Sequence, residues 1–319
     1  MAGPGSRIGR VIVWFPPVFM DARVPRSIRN SATLAGIAAI VLWSSLALLA
    51  TLTAPLPPFQ VLATCFAVAG GAGCLWLATG RGGGLHALRQ PRAAFALTLV
   101  ALFGYHALFL LAFRHAPAIE ANLINYLWPS LIVVFAAWIL RTPLRVPQIL
   151  GTALAFFGVL LLVTRGEGLS LRLEHLGGYL AALSGAVLWA AYSVLNRRHA
   201  AVPSAAIVGV CVVVALLALV THLASETWIM PTWQQWMALV GMGLGPTGAA
   251  FLLWDRGTKF GDIALLGTLS YAAPLLSTLS LIAFGLSAPH WTQAVAVLLL
   301  LSGVVLSVRR APAGAPDVA

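Results

Sequence analysis

The sequence predicts an all-α polytopic membrane protein with ten transmembrane helices arranged as a 5+5 inverted repeat. Three observations predict it. Of its 319 residues 60% are hydrophobic and 8% charged, with a mean hydropathy of +0.94. A soluble domain carries about a quarter charged residues, so this chain lacks the polar surface that water demands. Uncharged apolar runs recur ten times along it, and it matches itself at an offset near 145 residues.

A bilayer core about 30 Å thick asks for ~20 mostly apolar residues per helix. The runs are Ser31 to Thr53, Phe59 to Thr79, Ala93 to Phe113, Ala121 to Leu140, Ile149 to Thr164, Gly178 to Leu195, Ser204 to Thr221, Trp236 to Trp254, Ile263 to Leu286 and Trp291 to Val308. None contains Asp, Glu, Lys or Arg, and the short breaks between them carry proline, glycine and charge. The expected division is a cytoplasmic leader over 1–30, a first five-helix repeat over 31–165, a second over 166–310 and a cytoplasmic tail over 311–319. Within the leader, Val11 to Met20 is ten apolar residues with Pro16 and Pro17 inside and no small-residue cleavage site, so it fails as a signal peptide; Met20 is an alternative start.

The net charge of +11 comes from 19 Lys and Arg against 8 Asp and Glu. With the N-terminus inside, sixteen of the 19 fall on the cytoplasmic side, leaving Arg114, Arg165 and Arg172 on the other. That bias places both termini in the cytoplasm. The cations sit in short clusters between apolar runs, with no basic face, so no nucleic-acid partner is expected. Cys65, Cys74 and Cys211 lie within apolar runs, an odd number without CxxC spacing, and read as small core residues. Neither a metal nor a cofactor is expected.

The repeat is visible residue by residue. At an offset of 145, Tyr126 falls on Tyr271, Pro129 on Pro274, Gly158 on Gly303 and Arg165 on Arg310. At 146, Val41, Leu42 and Trp43 fall on Val187, Leu188 and Trp189; at 142, Phe109, Leu111 and Arg114 fall on Phe251, Leu253 and Arg256. Five helices is an odd number, so the second half enters the membrane from the opposite side. Inverted repeats of this kind build transporters with a site between the halves and alternating access to it.

An intramembrane Leu-Trp in the opening helix of each half, then a helix with a central Pro and a Gly-spaced closing helix, resembles the EamA family of the drug/metabolite transporter superfamily. The resemblance runs from about Thr33 to Arg310. The family commonly has a Glu after the Pro-bearing helix of each half; here the stretches Ile139 to Leu144 and Phe284 to Ala288 lack it. With Tyr105-His106 in the third span and Tyr126-Leu127-Trp128-Pro129 in the fourth, the chain is most similar to the family's aromatic amino-acid exporter branch, YddG type. The resemblance implies a multi-pass protein of the bacterial inner membrane that exports amino acids.

Polar and aromatic groups deep in the spans are the candidates for a cavity wall, because a polar side chain in hydrocarbon needs a partner or water. The substrate-binding candidates are Tyr105, His106, Tyr126, Trp128, Trp189 and Tyr192, with Asn125, Ser270 and Tyr271. Trp43 belongs with them by its repeat pairing to Trp189, whereas Trp228, Trp233, Trp236 and Trp291 sit near span ends and read as an interfacial belt. His106 is the one histidine deep in a run. Tyr105 and His106 fall on Thr247 and Gly248, and Trp128 on Ala273, so the bulk is concentrated in one half and leaves room opposite. Aromatic walls with hydroxyl and amide groups and no charged side chain suit a ligand without net charge, and aromatic faces stack on rings and hold ammonium groups. A neutral amino acid fits.

The protein is expected to work as a monomer in the lipid bilayer, moving its substrate without obligatory ion coupling. A proton-coupled exporter of small drugs or metabolites and a passive channel are the alternatives. An intramembrane serine protease is excluded: Ser184-Gly185 and Ser302-Gly303 are preceded at the required glycine position by Ala182 and Leu300.

Overall fold

The computed structural model describes residues 24–141, 144–168 and 171–308; most of the leader, with Met20, and the tail lie outside the described residues. Among the described residues nine helices are long and apolar enough to cross a membrane: Arg26–Thr53, Pro58–Ala78, Arg92–His115, Ala118–Leu140, Val146–Thr164, Leu173–His199, Ser204–Ser225, Trp233–Phe260 and Ile263–Ala283. An 18-residue helix, Trp291–Val308, completes ten. No strand occurs among the described residues. The architecture is two sets of five helices, and these ten are called the first to tenth spans below.

Local chemistry sets the boundaries. Pro57, Pro91 and Pro117 each stand just before a helix, where a missing N–H costs nothing. Thr232 opens the eighth span with a reciprocal cap, its Oγ1 accepting from Gln235 N at 3.3 Å and its own N donating to Gln235 Oε1 at 2.8 Å. The turn after the second span runs through Gly82 (φ 63°), Gly83 (φ 93°) and Gly84 (φ 65°), a left-handed series only glycine adopts without strain.

The repeat reappears in where the helices break. The fourth span is Ala118–Asn125 followed by Trp128–Leu140, and the ninth is Ile263–Leu269 followed by Ala272–Ala283. Each gap lies just ahead of the matched prolines Pro129 and Pro274. The third and eighth spans each contain one turn of π-helix, Val100–Gly104 and Gly245–Ala249. The pairings obey the same symmetry: the first span packs on the eighth as the sixth packs on the third, while the second packs on the seventh and the fifth on the tenth.

Small residues make these crossings close. A Cβ on Gly151 would lie 2.3 Å from the Gly303 carbonyl oxygen, and one on Gly303 would lie 2.4 Å from that of Gly151. In lipid, helices associate through such close backbone approach rather than through a difference in apolarity.

Charged residues require a correction. The eighth helix does not stop at Trp254 but runs six residues further, carrying Asp255, Arg256 and Lys259. Asp255 and Lys259 are 1% and 4% exposed and neutralise each other at 2.8 Å, one helical turn apart, which is why the helix can continue. Glu120 and the Glu226 side chain are also buried, the former bonded to the Tyr179 hydroxyl. His222, just past the seventh apolar run in the last turn of its helix, is also fully buried.

The fifth–tenth crossing makes a direct prediction. Gly151→Val should lower the unfolding midpoint of the purified protein in detergent, with an overpacking cost of roughly 1–3 kcal/mol. Gly71→Ala, at a position with open space around its Cβ, should leave it unchanged.

Candidate substrate chamber

The breaks in the third, fourth and eighth spans place aromatic side chains around one centre. Trp43 stands in the middle, with ring centroids 6.4 Å from Trp128, 5.7 Å from Trp189, 6.0 Å from Phe251 and 5.0 Å from Trp254. Trp189 lies 5.4 Å from Tyr105 and 5.4 Å from Tyr192. His106 is edge-on to Phe66 at 5.4 Å and beside Tyr105 at 5.4 Å. Sequence reasoning named Tyr105, His106, Trp128, Trp189 and Tyr192 but missed Phe66, Phe251 and Trp254. Phe251 had a signal, its repeat match to Phe109; Trp254 was hidden because the eighth run was ended there.

Burial differs along the cluster. Toward the end of the bundle where the first span begins and the tenth finishes, here the terminal end, Trp254 and Tyr192 are buried. On the other side Tyr105, His106 and Tyr126 are half-buried, as is Trp43, although all lie well inside their spans.

Hydrogen bonding then divides the polar groups into used and free. His106 Nδ1 lies 2.6 Å from the Leu102 carbonyl oxygen, which can only accept, so Nδ1 carries the proton and a neutral ring offers an acceptor at Nε2. Asn125 Nδ2 donates to the Tyr105 hydroxyl at 3.1 Å, while its Oδ1 is buried without a hydrogen-bond partner. Two of the four tryptophans are committed: Trp43 Nε1 donates to the Pro246 carbonyl at 3.0 Å, and Trp254 Nε1 to Ser193 Oγ at 3.1 Å. The Pro246 carbonyl is free for this because the π-turn pairs the Ala250 N–H with Gly245 instead. The cluster is therefore aromatic and uncharged, with an acceptor at His106 Nε2 and a buried one at Asn125 Oδ1.

Two candidates are placed elsewhere. Ser270 is fully buried, and its hydroxyl donates to the Leu266 carbonyl of its own helix at 2.7 Å. Tyr271 is fully buried in a separate cluster with Ala155, Val159, Leu162 and Leu275. Its hydroxyl receives the Ser130 N–H at 3.2 Å and meets Ser130 Oγ at 2.5 Å, filling the donor left over by the break in the fourth span. Tyr126 packs on this second cluster. An apolar cleft of about 160 Å³ lies between the second, seventh and eighth spans, lined by Trp76, Cys211 and Gly248 among others, and contains none of the candidates.

Ten helices in two inverted sets of five, closing on an aromatic chamber, define a membrane transporter. The chain belongs to the EamA-like transporter family, whose description fits residues 30–164 and again 176–309. It is 43% identical over 282 residues to the aromatic amino acid exporter YddG of Ancylobacter novellus, covering 88% of this chain and 97% of the relative. It is 28% identical over 274 residues to the exporter of that name from Escherichia coli K12, covering 82% and 90%. A crystal structure of a protein 41% identical superposes with a TM-score of 0.83 over 88% of this chain and 98% of the other.

Tyr271→Phe separates the two clusters. It should reduce stability by about 1–3 kcal/mol, because a buried Ser130 N–H loses its acceptor, and should leave the ranking of transported substrates unchanged in a flux assay across a substrate panel.

Proposed function

We propose that this protein exports amino acids, aromatic and other neutral ones, through the chamber between its halves by alternating access and without obligatory ion coupling. The observation that carries the reading is the pairing of aromatic walls with acceptors at His106 Nε2 and Asn125 Oδ1 in a chamber without a charged side chain. A zwitterion brings an ammonium group that needs acceptors and an apolar or aromatic side chain that needs flat apolar walls. Tyr105, His106, Asn125, Trp128 and Trp189 are the proposed contacts, with Tyr126 on the open side and Tyr192 supporting Trp189 from beneath. Ser270 and Tyr271 act on the helix break rather than on substrate. The names of the relatives support the substrate class.

The buried carboxylates support the absence of obligatory coupling. Glu120 bonds to Tyr179, Glu226 receives Phe59 N, Gln60 N and Arg114, and Asp255 pairs with Lys259 and Asn196. All three sit at span ends. A proton-coupled carrier would use a carboxylate without a fixed partner, and each of these three has one.

Orientation follows from the charge bias, with both termini in the cytoplasm of an inner-membrane protein acting as a monomer. A reporter fused after Arg310 should be active only if it works in the cytoplasm; activity in an exterior-specific reporter would reverse the assignment.

Flux in proteoliposomes tests the function. Uptake of aromatic amino acids should persist with pH and sodium gradients collapsed, and its loss under that condition would overturn the uncoupled mechanism. Trp189→Ala should change substrate preference while inserting normally. His106→Leu should cut transport by roughly tenfold or more, the scale of one hydrogen bond to a charged group, with His106→Gln retaining part of it. Equal, near-normal transport by both would reject a binding role for His106.

A further inference from the structure

We propose that Asn196, Asp255 and Lys259 form the gate that shuts the chamber at the terminal end, and that releasing Asn196 is the step that opens the path on that side. The proposal rests on the transport reading and adds the residues that control access. Asn196 lies near the end of the sixth span, as the C-cap of its α-helix, while Asp255 and Lys259 lie in the last turns of the eighth. The sixth span packs with the third and fourth and the eighth with the first, so a bond between them joins two groups of helices. Asn196 Nδ2 makes two such bonds, to Asp255 Oδ1 at 2.8 Å and to Thr258 Oγ1 at 3.1 Å.

The chemistry suits a reversible closure. Asp255 and Lys259 pair within one helix at 2.8 Å, so neither is left unpaired when the helix groups separate. Lys259 Nζ also donates to the Val202 carbonyl at 2.8 Å, on the approach to the seventh span. A dry ion pair contributes little to stability, because desolvation offsets its attraction; hydrating it on opening therefore costs little. A void of about 10 Å³ borders Thr98, Asn196, Asp255 and Lys259, room for about one water.

The opposite end carries an analogous contact, although the residue that falls on Arg114 in the repeat is Arg256 rather than Lys259. Arg114 ends the third span, as Lys259 nears the end of the eighth, and binds Glu226 Oε1 at 3.2 Å. Glu226 in turn accepts the Phe59 and Gln60 N–H groups at the start of the second span. A cation late in each half's third helix thus secures the start of that half's second helix. The two differ in hydration: the Arg114 side chain is 48% exposed and that of Lys259 3%.

The test uses the full chain in proteoliposomes, with Cys65, Cys74 and Cys211 replaced by Ala. In that background Asn196→Cys with Thr258→Cys should cross-link under mild oxidation, reduce amino-acid flux by about tenfold or more, and recover when reduced. Independently of any substrate, Thr98→Cys should react with a membrane-impermeant maleimide from the terminal side about tenfold faster when combined with Asn196→Ala, which weakens closure by two hydrogen bonds. Failure of the pair to cross-link, unchanged flux in the cross-linked protein, or equal labelling of Thr98→Cys with and without Asn196→Ala in folded protein would each overturn the gate. The cross-link decides the matter if Asn196→Ala unfolds. If the unmodified chain carries no amino-acid flux, the substrate reading fails, while the labelling arm still tests the gate.

Discussion

Inside a bilayer no water is available to take an unpaired backbone group, and this constraint shapes the whole molecule. A helix may break only where a side chain takes over the freed N–H or C=O. The Trp43 indole serves the Pro246 carbonyl, the Tyr271 hydroxyl serves the Ser130 N–H, and the His106 ring bonds the Leu102 carbonyl within a π-turn. Each repair joins distant elements or fixes a ring. The breaks thus also tie the bundle together, and the Leu102 contact fixes the His106 tautomer that leaves an acceptor at Nε2.

The inverted repeat supplies the scaffold but not the site. Helix pairings, proline positions and π-turns recur in both halves, whereas Tyr105, His106 and Trp128 have small or apolar counterparts in Thr247, Gly248 and Ala273. The second half contributes Trp189, Phe251 and Trp254 instead, so both halves wall the chamber with different residues. A symmetric site could not present acceptors on one side and flat apolar walls on the other. The asymmetry between the exposed Arg114 and the buried Lys259 follows the same logic at the two ends.

Much of this was legible in the sequence, for a physical reason. Lipid imposes length and apolarity on every span, so ten runs and their order could be read directly, as could the Tyr126-Pro129 and Tyr271-Pro274 register. Depth in those runs also singled out Tyr105, Trp128, Trp189 and Tyr192, which pack in one aromatic cluster. What hydropathy could not give was the inner face of the helix ends. Asp255 and Lys259 look like a boundary in a window of charges, yet they are buried because they cancel one another. Nor could spacing tell that Tyr271 faces the fourth-span break while its repeat mate Tyr126 is half-exposed, since the two positions are equivalent in sequence and differ in what surrounds them.

The account turns on where the substrate sits, and a structure of the protein with an aromatic amino acid bound addresses this most directly. The ring should lie among Trp43, Trp128 and Trp189, with the ammonium nitrogen within hydrogen-bond distance of His106 Nε2 or Asn125 Oδ1. A ligand seated in the apolar cleft beside Trp76 and Cys211, with the chamber between the halves empty, would contradict it.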